Sequence, residues 1–377
     1  PAHEAPLDPS LPTVANAFKD AGYHTAWLGK WHVDGYHESE GRAAMHTVER
    51  DRRGGFDTWI GYENNNAQYD CHVHGHRGDQ EVERYRLPGH ETDALTDLLL
   101  EHLDERAGDP DTPFFAALSV QPPHNPYVAP EQWMTRHTPG RMELRPNVPA
   151  VNRVEQQARR DLAGYYAQIE HLDHNVGRVM TALADLDLTD DTWIIFFSDH
   201  GDMHGSHGQF KKTSPWEESI RVPMIIGGPS RYLLRAGQSG HISDAPINHV
   251  DLIPTSLGLC GLGDQIPDDF VGTNWAGHVR GGAGQPDEPD SAYLQLVEPP
   301  PGHADTVDRP WRGLVTRDGW KYACLEGQPW LMFNLNEDPF EQANLAHNPR
   351  FAGRRKELNE RLQQWIDETG DEFQLPK

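Results

Sequence analysis

Several short stretches of this 377-residue chain carry side chains suited to handling ions. Gly29-Lys30-Trp31-His32 sets an ammonium two residues from an imidazole, and Gln121-Pro122-Pro123-His124-Asn125-Pro126 offers a second imidazole. Ser198-Asp199-His200-Gly201-Asp202 puts a carboxylate beside a histidine, and Phe210-Lys211-Lys212-Thr213-Ser214-Pro215-Trp216-Glu217 pairs two lysines. Lys30, His32, His124 and Lys212 are four potential donors for a tetrahedral oxyanion, which charge-assisted hydrogen bonds stabilise as charge builds in a transition state. Asp199 and His200 are of the types that ligate a divalent cation. Taken singly, each also reads as a solvated lysine, a satisfied histidine or a turn-capping aspartate. What joins them is that most follow a short apolar run.

Those runs, at residues 25–28, 114–120, 193–197 and 222–226, read as buried strands. Amphipathic helices alternate with them: 13–21, then 92–105 with Leu95, Leu98, Leu99 and Leu103 in phase, then 153–186 with Ile169, Leu172, Val176, Met180 and Leu183 in phase. The alternation predicts an α/β fold whose central, mostly parallel sheet lies between helices. Ligands in such sheets gather beyond the carboxyl ends of the strands, the rim on which the polar stretches fall. From within a Pro- and Gly-rich linker at 277–301 onward come short strands at 293–297, 311–316, 320–325 and 330–334, with an Asp318-Gly319 turn, and a helix at 354–369. The expected division is a large α/β domain, 1–280, and a small antiparallel sheet with a helix, 281–377.

With 33 Lys and Arg against 58 Asp and Glu, the net charge is -25. That argues against a nucleic-acid partner, because phosphate backbones are bound through clustered cations. No apolar run approaches the ~18 residues of a membrane span. A chain so negative must focus positive charge in a cleft to hold an anion. The three cysteines, Cys71, Cys260 and Cys324, signal neither a disulfide framework nor a metal site. The cluster Cys71, His72, His74, His76 lacks metal-ligand spacing, and Asp251 reads as the N-cap of a helix running to Leu259. Compartment and oligomeric state stay open.

Together these stretches resemble the type I sulfatases of the alkaline-phosphatase-like superfamily. The matching segments are 22–32, 121–127, 198–208, 212–223 with Glu217, Arg221 and Pro223 in place, 251–255, and Asn334-Leu335-Asn336-Glu337-Asp338-Pro339-Phe340-Glu341-Gln342-Ala343-Asn344-Leu345. The resemblance implies hydrolysis of sulfate esters around a calcium ion (Ca2+), with Asp199 and His200 as metal ligands. It implies that Lys30 and His32 hold the sulfate, and that His124 and Lys212 contact the ester, with Lys211 and His207 as neighbouring substrate contacts. The polar stretches 34–89 and 126–152 read as specificity loops, in which Asn64, Tyr69, His72, His74 and Arg77 meet sugar hydroxyls or a second sulfate. The expected substrate is an anionic sulfated small molecule or, by preference, a saccharide.

One departure matters for chemistry. The family's nucleophile is a formylglycine made from Cys or Ser in Cys/Ser-x-Pro-x-Arg, and no cysteine here has that context. Ser10-Leu11-Pro12-Thr13-Val14 has the proline without the arginine. The family's opening strand with its paired aspartates is also unmatched, so a leading segment bearing both is expected upstream. Two alternatives follow: a phosphate or phosphonate monoester hydrolase of the same superfamily, and a non-catalytic binder of sulfated glycans.

Overall fold

The computed structural model describes residues 5–36, 41–233, 240, 242–268, 270–280, 288–299 and 306–376. They group into two compact units, Pro1–Glu143 with Arg159–Thr192, and Leu144–Ala158 with Trp193–Lys377. Part of the 277–301 linker, residues 281–287 and 300–301, lies outside the described residues.

The first unit is built on a five-stranded sheet of order β4-β3-β2-β1-β5, formed by β1 (His24–Lys30), β2 (Thr58–Tyr62), β3 (His72–Arg77), β4 (Gln80–Arg86) and β5 (Phe114–Ser119). β1 runs parallel to both β2 and β5, while β2-β3 and β3-β4 are antiparallel. The sheet is thus mixed, where mostly parallel pairing was expected. The difference comes from the β3-β4 hairpin, whose histidine-rich first strand reads in sequence as a polar loop. Its signal was the two-residue Gly78-Asp79 connection between Arg77 and Gln80, with Gly78 at φ 53. Helices α1 (Val14–Asp20), α2 (Glu91–Ala107) and α3 (Asn152–Asp185) accompany the sheet, the first turns of α3 belonging to the second unit. α2 buries Ala94, Leu95, Leu98, Leu99, His102 and Leu103. The core beside α1 is aromatic, with Trp31, Phe56 and Trp59 around Ala15 and Val48.

Gly29 is the one position of β1 where a side chain is excluded. Its φ is +113, and a Cβ there would stand 2.0 Å from the Ser119 carbonyl oxygen. The missing side chain lets β5 close against β1 immediately before the Lys30 end of the strand.

In the second unit, β6 (Ile194–Phe197) and β7 (Met224–Gly227) pair antiparallel. Phe197 is 46% and Ile225 62% exposed, so these are not the buried parallel strands expected of 193–197 and 222–226. After α4 (Leu252–Leu259), a second sheet of order β11-β10-β9-β8 is antiparallel throughout, from β8 (Ser291–Leu296), β9 (Trp311–Thr316), β10 (Trp320–Leu325) and β11 (Gln328–Asn334). Helix α5 (Ala352–Thr369) turns Leu358, Leu362 and Ile366, one residue in four, onto Tyr322 and Cys324. Strand alternation sends Lys321 and Ala323 to the other face. Asp251 is not an N-cap through its side chain. It is buried, and its carboxylate accepts from the Asn248 and Thr273 amides and from Trp275 Nε1 at 2.7–3.0 Å, tying the 248–275 segment together.

Candidate active site

In the first unit the carboxyl ends of β1, β2 and β5 lie side by side, since Lys30 pairs with Tyr62 and Gly29 with Ser119. The polar residues that follow these three strands therefore share one rim. Lys30 ends β1, and the ladder continues two residues further, Trp31 N donating to Tyr62 O at 2.8 Å and His32 N to Glu63 O at 2.9 Å. Trp31 is buried among Trp27, Phe56 and Trp59, with ring centroids 4.9–6.2 Å apart, which anchors the turn. His32 is left exposed in the left-handed region at φ 54.

His124 follows β5. Its ring Nδ1 lies 2.7 Å from the Asn125 carbonyl, so Nδ1 carries a proton and Nε2 is the atom that changes protonation. The turn is held from below by Gln168 of α3, fully buried, whose amide reaches the His124, Pro126 and Val128 carbonyls at 3.2–3.4 Å, and by Gln68 donating to Pro126 O at 2.9 Å. Gln121 Nε2 reaches Asn66 Oδ1 at 3.4 Å, linking the turns after β5 and β2.

The structure thus brings Lys30, His32, His124 and half-buried Asn64 to one edge. Tyr69 is exposed, with His90 edge-on at 5.1 Å, and His72 opens β3 at the same end of the sheet. His74 and Arg77 go elsewhere. His74 is 4% exposed, accepts the Val48 amide at 2.9 Å through Nε2, and is held neutral by burial, its pKa down to about 4. Arg77 pairs with Thr58 at the opposite end of β2 and with Glu101 and Glu105 of α2. Beneath the rim lie residues that the sequence reading missed: Glu91, Tyr62 and Cys71, and beside it a buried Glu63 whose carboxylate accepts the Asp34 amide at 3.1 Å while Asp34 holds His46 at 2.5 Å. Glu91 escapes pattern reading because its place in the first turn of a helix already explains an acid.

In the second unit Asp199 and His200 follow β6. Asp199 is exposed, with Oδ2 3.6 Å from His200 Nε2, while Ser198 Oγ donates to the His200 carbonyl. A shared cation is compatible with that spacing, but one carboxylate and one imidazole do not make the six to eight oxygens of a calcium shell. Lys211 is exposed and Lys212 half-buried in a loop fixed by Met203 N to Lys211 O at 2.7 Å and Trp311 Nε1 to Thr213 O at 2.9 Å. His207 is stacked on Trp216 at 3.8 Å, Nε2 facing the Asn147 amide, and burial lowers its pKa.

His207, Glu218 and Glu341 bring three potential ligand atoms within 4.8 Å of one another. Glu218 Oε1 meets Asn147 at 2.8 Å and Arg145 at 3.2 Å while its Oε2 is buried without a hydrogen-bond partner, and Glu341 meets Lys321 and the Glu217 amide at 2.8 Å. Lys321 is the buried cation beside this group, paired with Glu217 and Glu341. Cys71 and Cys324 are buried, with thiols pushed up by burial, that of Cys324 to about 12; neither is an activated nucleophile.

A mixed sheet with a polar rim at parallel strand ends, and a separate antiparallel sheet with one helix, define the alkaline-phosphatase-like class. Within it the chain belongs to the sulfatase family: the sulfatase model matches residues 2–262, and the C-terminal model of N-sulphoglucosamine sulphohydrolase matches 205–368. The chain is 32% identical over 363 residues to an ulvan-active sulfatase of Formosa agariphila, covering 96% of this chain and 66% of that protein. It is 31% identical over 224 residues to an N-acetylglucosamine-6-O-sulfatase of Bacteroides thetaiotaomicron, covering 58% of this chain and 38% of that one. A putative sulfatase, yidJ, of Bacteroides fragilis superposes with a TM-score of 0.82 at 25% identity, over 98% of this chain and 79% of that one. Among the described residues no helix is long and apolar enough to cross a membrane.

Proposed function

We propose that the protein hydrolyses sulfate esters of saccharides. The observation that carries this reading is the convergence of Lys30, His32 and His124 on one rim of the first unit. The Lys30 ammonium, with His32 beside it, neutralises the sulfuryl oxygens as charge grows on them. His124, with Nδ1 committed to Asn125, delivers a proton from Nε2 to the departing alkoxide as its S–O bond breaks. Water supplies the oxygen of the released sulfate, and the sugar leaves as an alcohol. In this reading Lys212 and Lys211 add positive charge to the anion, Asp199 and His200 contribute two ligands to a calcium ion completed by others, and Asn64, Tyr69 and His72 meet the saccharide. A calcium ion there would supply Lewis-acid stabilisation. In this reading the nucleophile is the formylglycine of the sulfatase family. The saccharide preference is supported by the names of the ulvan-active and N-acetylglucosamine-6-O-sulfatase relatives.

The test is release of inorganic sulfate from sulfated mono- and oligosaccharides by the full-length protein, beside matched phosphate esters. Lys30→Ala and His124→Ala are each expected to lower kcat/KM by about 10²-fold or more. Faster turnover of the phosphate esters would move the reading to a phosphate or phosphonate hydrolase. Binding of a sulfated oligosaccharide that is recovered intact would make the protein a binder.

A further inference from the structure

Glu91 opens α2, is 0% exposed, and takes no part in the chemistry above. Its Oε2 accepts from the Tyr62 hydroxyl at 3.1 Å and from Asn65 Nδ2 at 3.5 Å, and its amide donates to Gln68 O at 2.8 Å. Oε1 of the same carboxylate is buried without a hydrogen-bond partner, and the Cys71 thiol lies near enough to act on its ionisation. Tyr62 is the register partner of Lys30, and opposite residues of a ladder share a face, so the Lys30 side chain leaves β1 on the face from which Tyr62 reaches Glu91. Burial raises the Glu91 pKa above the usual carboxylate value, and the Tyr62 and Asn65 contacts and, more weakly, the Lys30 charge act against it. Tyr62 and Cys71 are therefore the titratable groups at the carboxylate, and Lys30 is the cation that shares the sheet face of Tyr62. Burial pushes the first two up, so both are neutral at pH 7 and Lys30 is the cation among them.

A buried carboxylate with neutral donors on one side and an ammonium on the other is a counter-charge. We propose that Glu91 is a positioning residue, which holds the Lys30 ammonium protonated and aimed at the rim while Tyr62 and Asn65 hold Glu91. This rests on the reading that Lys30 binds the sulfuryl group. It adds that a group sealed away from substrate sets the charge and direction of the one that touches it. It also makes the asparagine-rich turn after β2 part of the same device, through Asn65 and Gln68.

The experiment is competitive acetylation of lysines across pH, read by mass spectrometry, in the full chain and in Glu91→Gln and Glu91→Asp. Exposed Lys356 serves as the internal standard. With Glu91 removed the ammonium is favoured less, so the Lys30 midpoint is expected to fall by about one pH unit in Glu91→Gln, about tenfold faster labelling near pH 8. Glu91→Asp is expected to restore part of the shift. The basic limb of kcat/KM moves to lower pH with the midpoint, which a merely structural role would not produce. An unchanged Lys30 midpoint in folded Glu91→Gln would overturn the proposal. If that variant does not fold, the unmodified chain decides: Lys30 titrating above Lys356 supports the proposal, and Lys30 titrating at or below it overturns it. Labelling needs no turnover, so a chain that shows the shift but cleaves no sulfate ester loses only the functional reading.

Discussion

Replacing Lys321 by methionine tests how the charge network of the second unit is held. Lys321 is 1% exposed, 3.0 Å from Glu217 Oε1 and in direct contact with Glu341, itself 2% exposed. Burial raises the Glu341 carboxyl from 4.5 to about 7, against the opposing pull of Lys321. A carboxyl whose folded value lies above its unfolded one keeps its proton only in the folded state between the two. Its contribution is therefore fully present below about pH 4.5 and lost as pH rises through 7. Without Lys321 the pull that offsets burial is gone, so at pH 8 the folded state must hold Glu341 either charged without its cation or protonated against the solvent pH. Breaking a buried pair from one side costs about 3–5 kcal/mol. In a unit of about 200 residues that corresponds to a fall in melting temperature of roughly 6–20 °C. At pH 5 Glu341 is protonated with or without Lys321, so the loss there should be markedly smaller. Thermal melts of the parent, Lys321→Met, Glu341→Gln and the double variant at pH 5 and 8 measure both quantities, and the double variant should recover much of the single loss. A loss below about 1 kcal/mol at pH 8, or the same loss at both pH values, would refute the reasoning.

Three further outcomes follow from particular contacts. His102 is fully buried between His24 and Phe114, and burial lowers its pKa to about 4. A base depressed in the folded state contributes stability that is present above its unfolded value near 6.5 and lost as pH falls toward 4. His102→Leu should therefore flatten the acid side of the stability curve, as urea melts at pH 5 and 7.5 will show; a parallel drop at both would contradict it. Gly29→Ala drives a Cβ to 2.0 Å from the Ser119 carbonyl at a positive φ, so it should destabilise the first unit by several kcal/mol, as in other strained or overpacked sites; a melting temperature within about 2 °C of the parent counts against the close approach. Asp251→Asn replaces a carboxylate that takes three N–H donors and should cost about 2 kcal/mol or more, read from the same melts.

Much of this was legible in sequence, and for a physical reason. Periodicity is local, so the helices and most strands, including the whole β8–β11 sheet with α5, fall within a few residues of their expected bounds. The rim was legible because continuous apolar runs mark strands buried on both faces, and the polar residues after Lys30 and Ser119 must then lie at strand ends. What failed were the places where burial ran against residue type. The β3-β4 hairpin hides behind His72, His74 and His76, since histidines inside a sheet read as surface until their partners, the Val48 amide for His74 and the Phe56 carbonyl for His76, are known. Asp251 reads as a cap because its distant donors, Thr273 and Trp275, carry no local signal.

The sequence by itself determined most of the element types, the family and the residues that end the strands of the rim. Only the tertiary structure decided which charges stand inside. Glu91, Lys321 and Glu341 are ordinary solvated residues by composition and spacing. Their ionisation and role come from the low-dielectric surroundings and long-range partners that folding supplies, and no window of sequence contains those.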